Sequence, residues 1–182
     1  MATIIAVLLA IAIPQFNSYR VRGYNAAAVS DIRNARSAEE AFYSNHGVYP
    51  SSKADGSSGV GLPLANGSAS VPIVQYGISD KAPAEAATFT TGLSQNVRIV
   101  INTSDDGGSY VMASKSASGD RCIGADSDVT NLYWTNGRQG LPLDSASLPI
   151  AVLKNNDLSG IAGTGVCSGS ADGGGQKNWD VL

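Results

Sequence analysis

The sequence predicts an α+β fold: one long N-terminal α-helix, a hydrophobic stalk followed by an amphipathic half, packed on an antiparallel β-sheet head with a C-terminal disulfide-closed loop. Three observations carry that expectation. Residues 1–50 keep a helical pattern that is closed by Gly47 and Pro50. Beyond Pro50 the helical period gives way to short runs rich in Val, Ile, Thr and Tyr, separated by Gly- and Asp-containing turns. The chain has two cysteines, Cys122 and Cys167, and both fall in its C-terminal third.

With 182 residues there is room for one domain with its own core and not for two of ordinary size. The expected division is a hydrophobic helix over 1–20, an amphipathic helix of the head over 21–46, and a β-sheet head with the disulfide region over 47–182.

Residues 1–19 contain no charged side chain, and Ile4, Ile5, Val7, Leu8, Leu9, Ile11, Ile13 and Phe16 make this segment apolar on every side. As a helix the apolar run reaches about 24 Å, short of the hydrocarbon layer of about 30 Å, so it reads as a truncated membrane span. A secretory signal peptide is the competing reading. It fits less well, because no Lys or Arg precedes the run and no small-x-small cleavage site follows it. A wholly buried core helix is the other alternative. Pro14 removes a backbone donor and is expected to kink or loosen the helix around residues 10–13.

From Val21 onward the pattern turns amphipathic, with Val21, Tyr24, Ala28, Ile32, Ala35, Ala38 and Phe42 spaced by three or four to form a face that packs on a sheet. Arg20, Arg22, Asp31, Arg33, Arg36, Glu39 and Glu40 occupy the remaining positions and read as a solvated face, with Arg36 and Glu40 spaced for an i,i+4 pair. The helix is expected to end near Asn45 or His46. The lone histidine, His46, then sits at a helix C-terminus, where the dipole or solvent accounts for it without catalysis or metal binding.

In the head, strands are expected at 71–78, 87–91, 97–101, 110–114 and 129–135, giving a sheet of three to five strands with one face on the helix. An even cysteine count in a chain that looks exported reads as one disulfide and an oxidising compartment; two buried thiols in a cytosolic protein are the alternative. A disulfide joining Cys122 to Cys167 would close a loop of about 45 residues, stabilise the head by about 4 kcal/mol on the chain-entropy model and tether the Gly-rich segment 172–175.

Composition narrows the function. Charged residues are 15% of the chain against roughly 25% in an average soluble protein, which suits a subunit that hides surface against copies of itself. A net charge of -3 supplies no basic field for a phosphate backbone, so nucleic acid is not an expected ligand. No serine sits in a nucleophile elbow, and no Gly-rich run has a phosphate-binding spacing. The acidic pairs Asp105-Asp106 and Asp126/Asp128 lack EF-hand spacing and read as turns. Neither catalysis nor a cofactor is expected, and the aromatics Phe16, Tyr19, Tyr24, Phe42, Tyr43 and Tyr49 read as packing groups rather than an electron path.

The ordered set Ile11-Ala12-Ile13-Pro14-Gln15-Phe16, Tyr19-Arg20-Val21-Arg22, Tyr24-Asn25-Ala26-Ala27 and Asp31-Ile32-Arg33-Asn34 resembles the N-terminal helix of type IVa pilins. The exit Ala41-Phe42-Tyr43-Ser44-Asn45-His46-Gly47-Val48-Tyr49-Pro50 is similar to the Tyr-Pro signature shared by pilins and pseudopilins. The likeness covers the first 50 residues, and the head matches in general character only. Pilins carry a leader-peptidase site and an assembly Glu upstream of the matching segment, and no residue of this chain corresponds to either. The resemblance implies a structural subunit that waits in the inner membrane and is then assembled, by pilus machinery and through its helix, into an extracellular homopolymer for adhesion, motility or surface contact. It also implies that the C-terminal disulfide loop marks an exposed, partner-facing edge. A major pseudopilin of a type II secretion system and a non-polymerising membrane-anchored adhesin are the other functions compatible with the same helix.

Overall fold

A computed structural model describes residues 2–50, 59–60, 64–65, 92–104, 106–148, 158–168 and 178–182; within the long helix, side chains are described at Leu8 and from Ala10 onward. The strands expected at 71–78 and 87–91, and the Gly-rich segment 172–175, lie outside these residues.

The helix α1 runs from Ala2 to His46. It passes through Pro14 with helical structure kept on both sides. Its end is fixed by backbone chemistry. Gly47 takes φ 71° and its N–H donates to the Tyr43 carbonyl at 2.7 Å, which closes the last turn. Tyr49 N–H then donates to the Gly107 carbonyl at 2.8 Å, and Thr103 Oγ1 donates to the Pro50 carbonyl at 2.8 Å. The Tyr-Pro exit is thereby pinned to the sheet.

The sheet is antiparallel throughout. Its centre is a meander of four strands, β3 (Val97–Thr103), β4 (Tyr110–Ser116), β5 (Arg121–Asp126) and β6 (Leu132–Asn136). Two-residue strands extend both edges: β1 (Gly59–Val60) and β2 (Leu64–Ala65) pair with β3, and β7 (Asp180–Val181) pairs with β6. Register places Ile101 opposite Met112 and Ser114 opposite Ile123.

Strand period two divides the side chains between the faces. Ile99, Ile101, Tyr110, Met112, Ile123 and Ala125 meet Ala28, Ile32, Ala35 and Phe42 of the helix. Val100, Val111, Ala113, Cys122 and Tyr133 point the other way, onto Leu143, Leu148, Leu158, Cys167 and Trp179. The head is therefore three-layered: helix, sheet and a C-terminal covering segment. All seven residues of β4 are buried, as a central strand covered on both faces requires.

The C-terminal segment builds a second core on the sheet face turned away from the helix. Two expectations are corrected. The disulfide, with a Cα–Cα distance of 5.7 Å, joins Cys122 to Cys167 inside that core, where both residues are fully buried, rather than at an exposed edge. Strand β5 was not among the expected strands. Its sequence Arg-Cys-Ile-Gly-Ala-Asp is short of β-branched residues, and its glycine serves a long-range contact: a Cβ at Gly124 would lie 2.7 Å from Leu158 and 2.9 Å from Trp179.

Candidate functional site

The helix leaves the head over its N-terminal half. Leu8, Ile11, Ile13, Phe16 and Tyr19 are 59–65% exposed, and Pro14 is exposed with them. Ile4, Ile5, Val7 and Leu9 have side chains outside the described set. Large apolar groups on opposite sides of one helix cannot all turn toward a single sheet, so this stretch has no covering partner among the described residues. No helix among the described residues is long and apolar enough to cross a membrane. The apolar run gives way at Gln15, Asn17 and Ser18, in keeping with a run too short for a full span, and stands as an exposed apolar stalk.

Further along, Val21, Tyr24 and Ala38 are half-buried, while Ala28, Ile32, Ala35 and Phe42 are buried against the sheet. The polar face is less solvated than its composition implies. Asp31 is buried and accepts from Ser94 N–H at 2.7 Å and Ser94 Oγ at 2.9 Å. Glu39 is fully buried, with no hydrogen-bond partner for either carboxylate oxygen; burial first, and then the adjacent Glu40, push its carboxyl well above the ordinary range. Arg36 donates to the Val129 carbonyl and to that of Thr130 at 2.9 Å. Glu40 accepts from Tyr49 at 3.1 Å and Tyr110 at 3.2 Å, so the pair expected between Arg36 and Glu40 is replaced by two helix-to-head anchors.

Where stalk and head meet, the helix and the β4–β5 turn enclose a groove of about 1170 Å³. Arg20, Arg22 and Asn25 line it from the helix, and Asp120, Arg121 and Gln139 from the head. Aromatic rings hold the guanidinium groups: Arg20 lies 6.0 Å from the Phe16 centroid and donates to Tyr24 Oη at 3.0 Å, Arg22 lies 5.9 Å from Tyr19, and Arg121 lies 4.3 Å from Trp134. Asn25 Nδ2 donates to Asp120 Oδ1 at 2.6 Å and ties the two walls together. A Cβ at Gly119 would come 2.4 Å from Asn25 Oδ1, so a side chain there would require Asn25 to shift.

The head wall is braced from behind by Lys115. Its fully buried ammonium donates to the carbonyls of Ser116 at 2.9 Å, Gly119 at 3.1 Å and Leu141 at 2.9 Å. Burial lowers its pKa to about 8, against the opposing pull of Asp120.

Elsewhere the acidic residues serve turns. Asp106 accepts from Ser104 Oγ at 2.7 Å, and Asp126 accepts from Asp128 N–H at 2.9 Å. The described residues contain no group of three or more His, Cys, Asp or Glu placed to hold a metal ion. His46 packs its ring 4.3 Å from that of Phe42. Sequence reasoning missed the groove, because its walls lie almost a hundred residues apart; the signal present was a cluster of arginines and aromatics just beyond the apolar run.

Comparison with protein-family models, with curated proteins and with solved structures gave no match to this chain.

Proposed function

We propose that this chain is the structural subunit of a type IV pilus-like filament, polymerising through its N-terminal helix with the head carried outside. In this reading the subunit rests in the inner membrane until assembly machinery draws it into an extracellular homopolymer used for adhesion, motility or surface contact. One observation carries the proposal. Leu8, Ile11, Ile13, Phe16 and Tyr19 stand exposed around a helix that the head does not cover, while the same helix is firmly packed a few turns later. Each large aliphatic side chain removed from water contributes roughly 1.5–3 kcal/mol, so burial among copies of the same helix gives a strong, non-directional drive to associate. The pilin-like order of residues over the first 50 positions supports the same reading.

Electron microscopy of shed native material and of purified protein after detergent removal tests it. Long filaments a few nanometres wide made of this chain are expected. Short periplasmic assemblies tied to secretion would favour a pseudopilin, and a protein that stays monomeric with its apolar helix intact would favour a membrane-anchored adhesin.

A further inference from the structure

We propose that the groove between stalk and head is a binding site for the phosphate of an anionic phospholipid headgroup, occupied while the subunit rests in the membrane. The inference builds on the reading given under Proposed function, which places the apolar helix in a bilayer before assembly.

Position is the first argument. Arg20 lies one helical turn beyond Phe16, the last large residue of the apolar run, a rise of about 6 Å. When the run enters the hydrocarbon, the groove sits at headgroup level. Phe16 and Tyr19 then fall at the interface, where aromatic side chains are favoured.

Charge is the second. The chain as a whole is acidic, at -3, yet among the described lining residues three arginines face a single carboxylate, Asp120, which already accepts from Asn25. Guanidinium groups present planar forks suited to phosphate oxygens, and here neighbouring rings restrict all three. Two of the arginines come from the helix and the third from the head. A headgroup held between them would also set the angle at which the head stands on the membrane.

Construction is the third. Arg121 begins β5 directly after the turn that Lys115 holds through Ser116 and Gly119, and Lys115 reaches Leu141 beside the Gln139 wall. The wall that presents Arg121 is thus fixed from within the core.

The test is cosedimentation of the full chain with vesicles of phosphatidylcholine alone and of equimolar phosphatidylcholine and phosphatidylglycerol. A basic side chain near an anionic surface contributes about fivefold in partitioning, so Arg121→Gln should bind the anionic vesicles about fivefold more weakly and the neutral vesicles as wild type does. Arg121→Lys, which keeps the charge and loses the planar fork, should bind more weakly than wild type and more tightly than Arg121→Gln. Arg33→Gln, which removes an equal charge from an exposed helix position outside the groove, should stay within about twofold of wild type. Equal binding of anionic vesicles by Arg121→Gln and wild type, or equal losses in Arg121→Gln and Arg33→Gln, would overturn the site. Calorimetry with soluble glycerol phosphate separates the sources: no Arg121-dependent heat is expected without a bilayer, and Arg121-dependent binding as strong as that to vesicles would overturn the lipid assignment. Filaments formed by a wild type whose vesicle binding ignores Arg121 would sink the headgroup site alone. Arg121-dependent vesicle binding by a wild type that never forms filaments would sink the assembly reading and leave the site standing.

Discussion

The two halves of the single helix α1 solve the same problem in opposite ways. From Ala28 to Phe42 the apolar residues form a stripe, and the chain's own sheet covers it, leaving Ala28, Ile32 and Ala35 without solvent exposure. From Leu8 to Tyr19 the apolar residues surround the helix and stand in the open. A stripe can be buried by one neighbour, whereas a helix apolar all round needs several. The difference teaches that apolar content alone does not say where a segment is buried; its angular distribution decides whether the partner is the same chain or other copies.

The widest separation between the halves is expected from one aspartate placed in the stalk. Ile11→Asp or Ile13→Asp should abolish filament formation, because an ionised carboxylate inside an apolar helix bundle has no partner to offset its lost hydration. Head stability, read by denaturant melting, should match wild type, since neither residue touches the head. Ile32→Ala should do the reverse to the head and cost it about 2–5 kcal/mol through the cavity left under the sheet. Filaments that persist in both aspartate variants would remove stalk burial as the driving force.

A second comparison sets the two faces of the sheet against each other. The helix face is closed by a continuous, well-capped element. The far face is closed by loops and short turns held to the sheet by apolar packing, by the β7–β6 pair and by the bond between Cys122 and Cys167. Replacing both cysteines with alanine should lower the stability of the head by about 4 kcal/mol for the 45-residue separation. Hydrogen exchange should rise first around Leu143, Leu158 and Trp179 and last around Ile32 and Met112. Uniform acceleration over both faces would break the contrast.

Lys115 sharpens the same comparison at one residue. Methionine there would keep the packing volume and strip the carbonyls of Ser116, Gly119 and Leu141 of their shared donor. A loss of about 3 kcal/mol is expected, read as a drop in the denaturation midpoint, with the 116–121 turn losing exchange protection ahead of the rest of the sheet.

How much of this was legible in the sequence follows from the range of the interactions involved. The helix end was legible because Gly47 and Pro50 act within a turn of it. The disulfide was legible from a pair of cysteines with no other candidate partner. Strand β5 was hidden because Gly124 is chosen by Trp179, more than fifty residues away in sequence and against its face in space. Asp31 and Glu39 were assigned to solvent by residue type, although 28, 31, 35, 39 and 42 also follow one another at intervals of three or four. Position on the helix outweighed polarity there: the sheet is broad enough to cover both rows, and Ser94 supplies the partner that makes Asp31 tolerable.

Glu39 has no such partner, and it is the finest test of the contrast between the helix halves, since it asks whether the packed half tolerates a charge that the exposed half would leave in water. Its carboxyl is fully buried and both oxygens lack hydrogen bonds, so the folded state holds the proton more tightly than the unfolded chain does. A raised folded pKa means that the unfolded state releases this proton first as pH increases. The contribution of Glu39 to stability is therefore fully present below the ordinary glutamate pKa of about 4.3 and is lost progressively as pH climbs from there toward the raised folded value. Glu39→Met, which keeps length and removes both oxygens, should be more stable than wild type by about 1–3 kcal/mol at neutral pH. The gap should narrow as pH falls toward 4, because acid restores the neutral carboxyl in both states of the wild type. Denaturation of the two proteins across that range decides it, and a gap that stays constant with pH would mean that Glu39 is ionised in the fold and has found a partner.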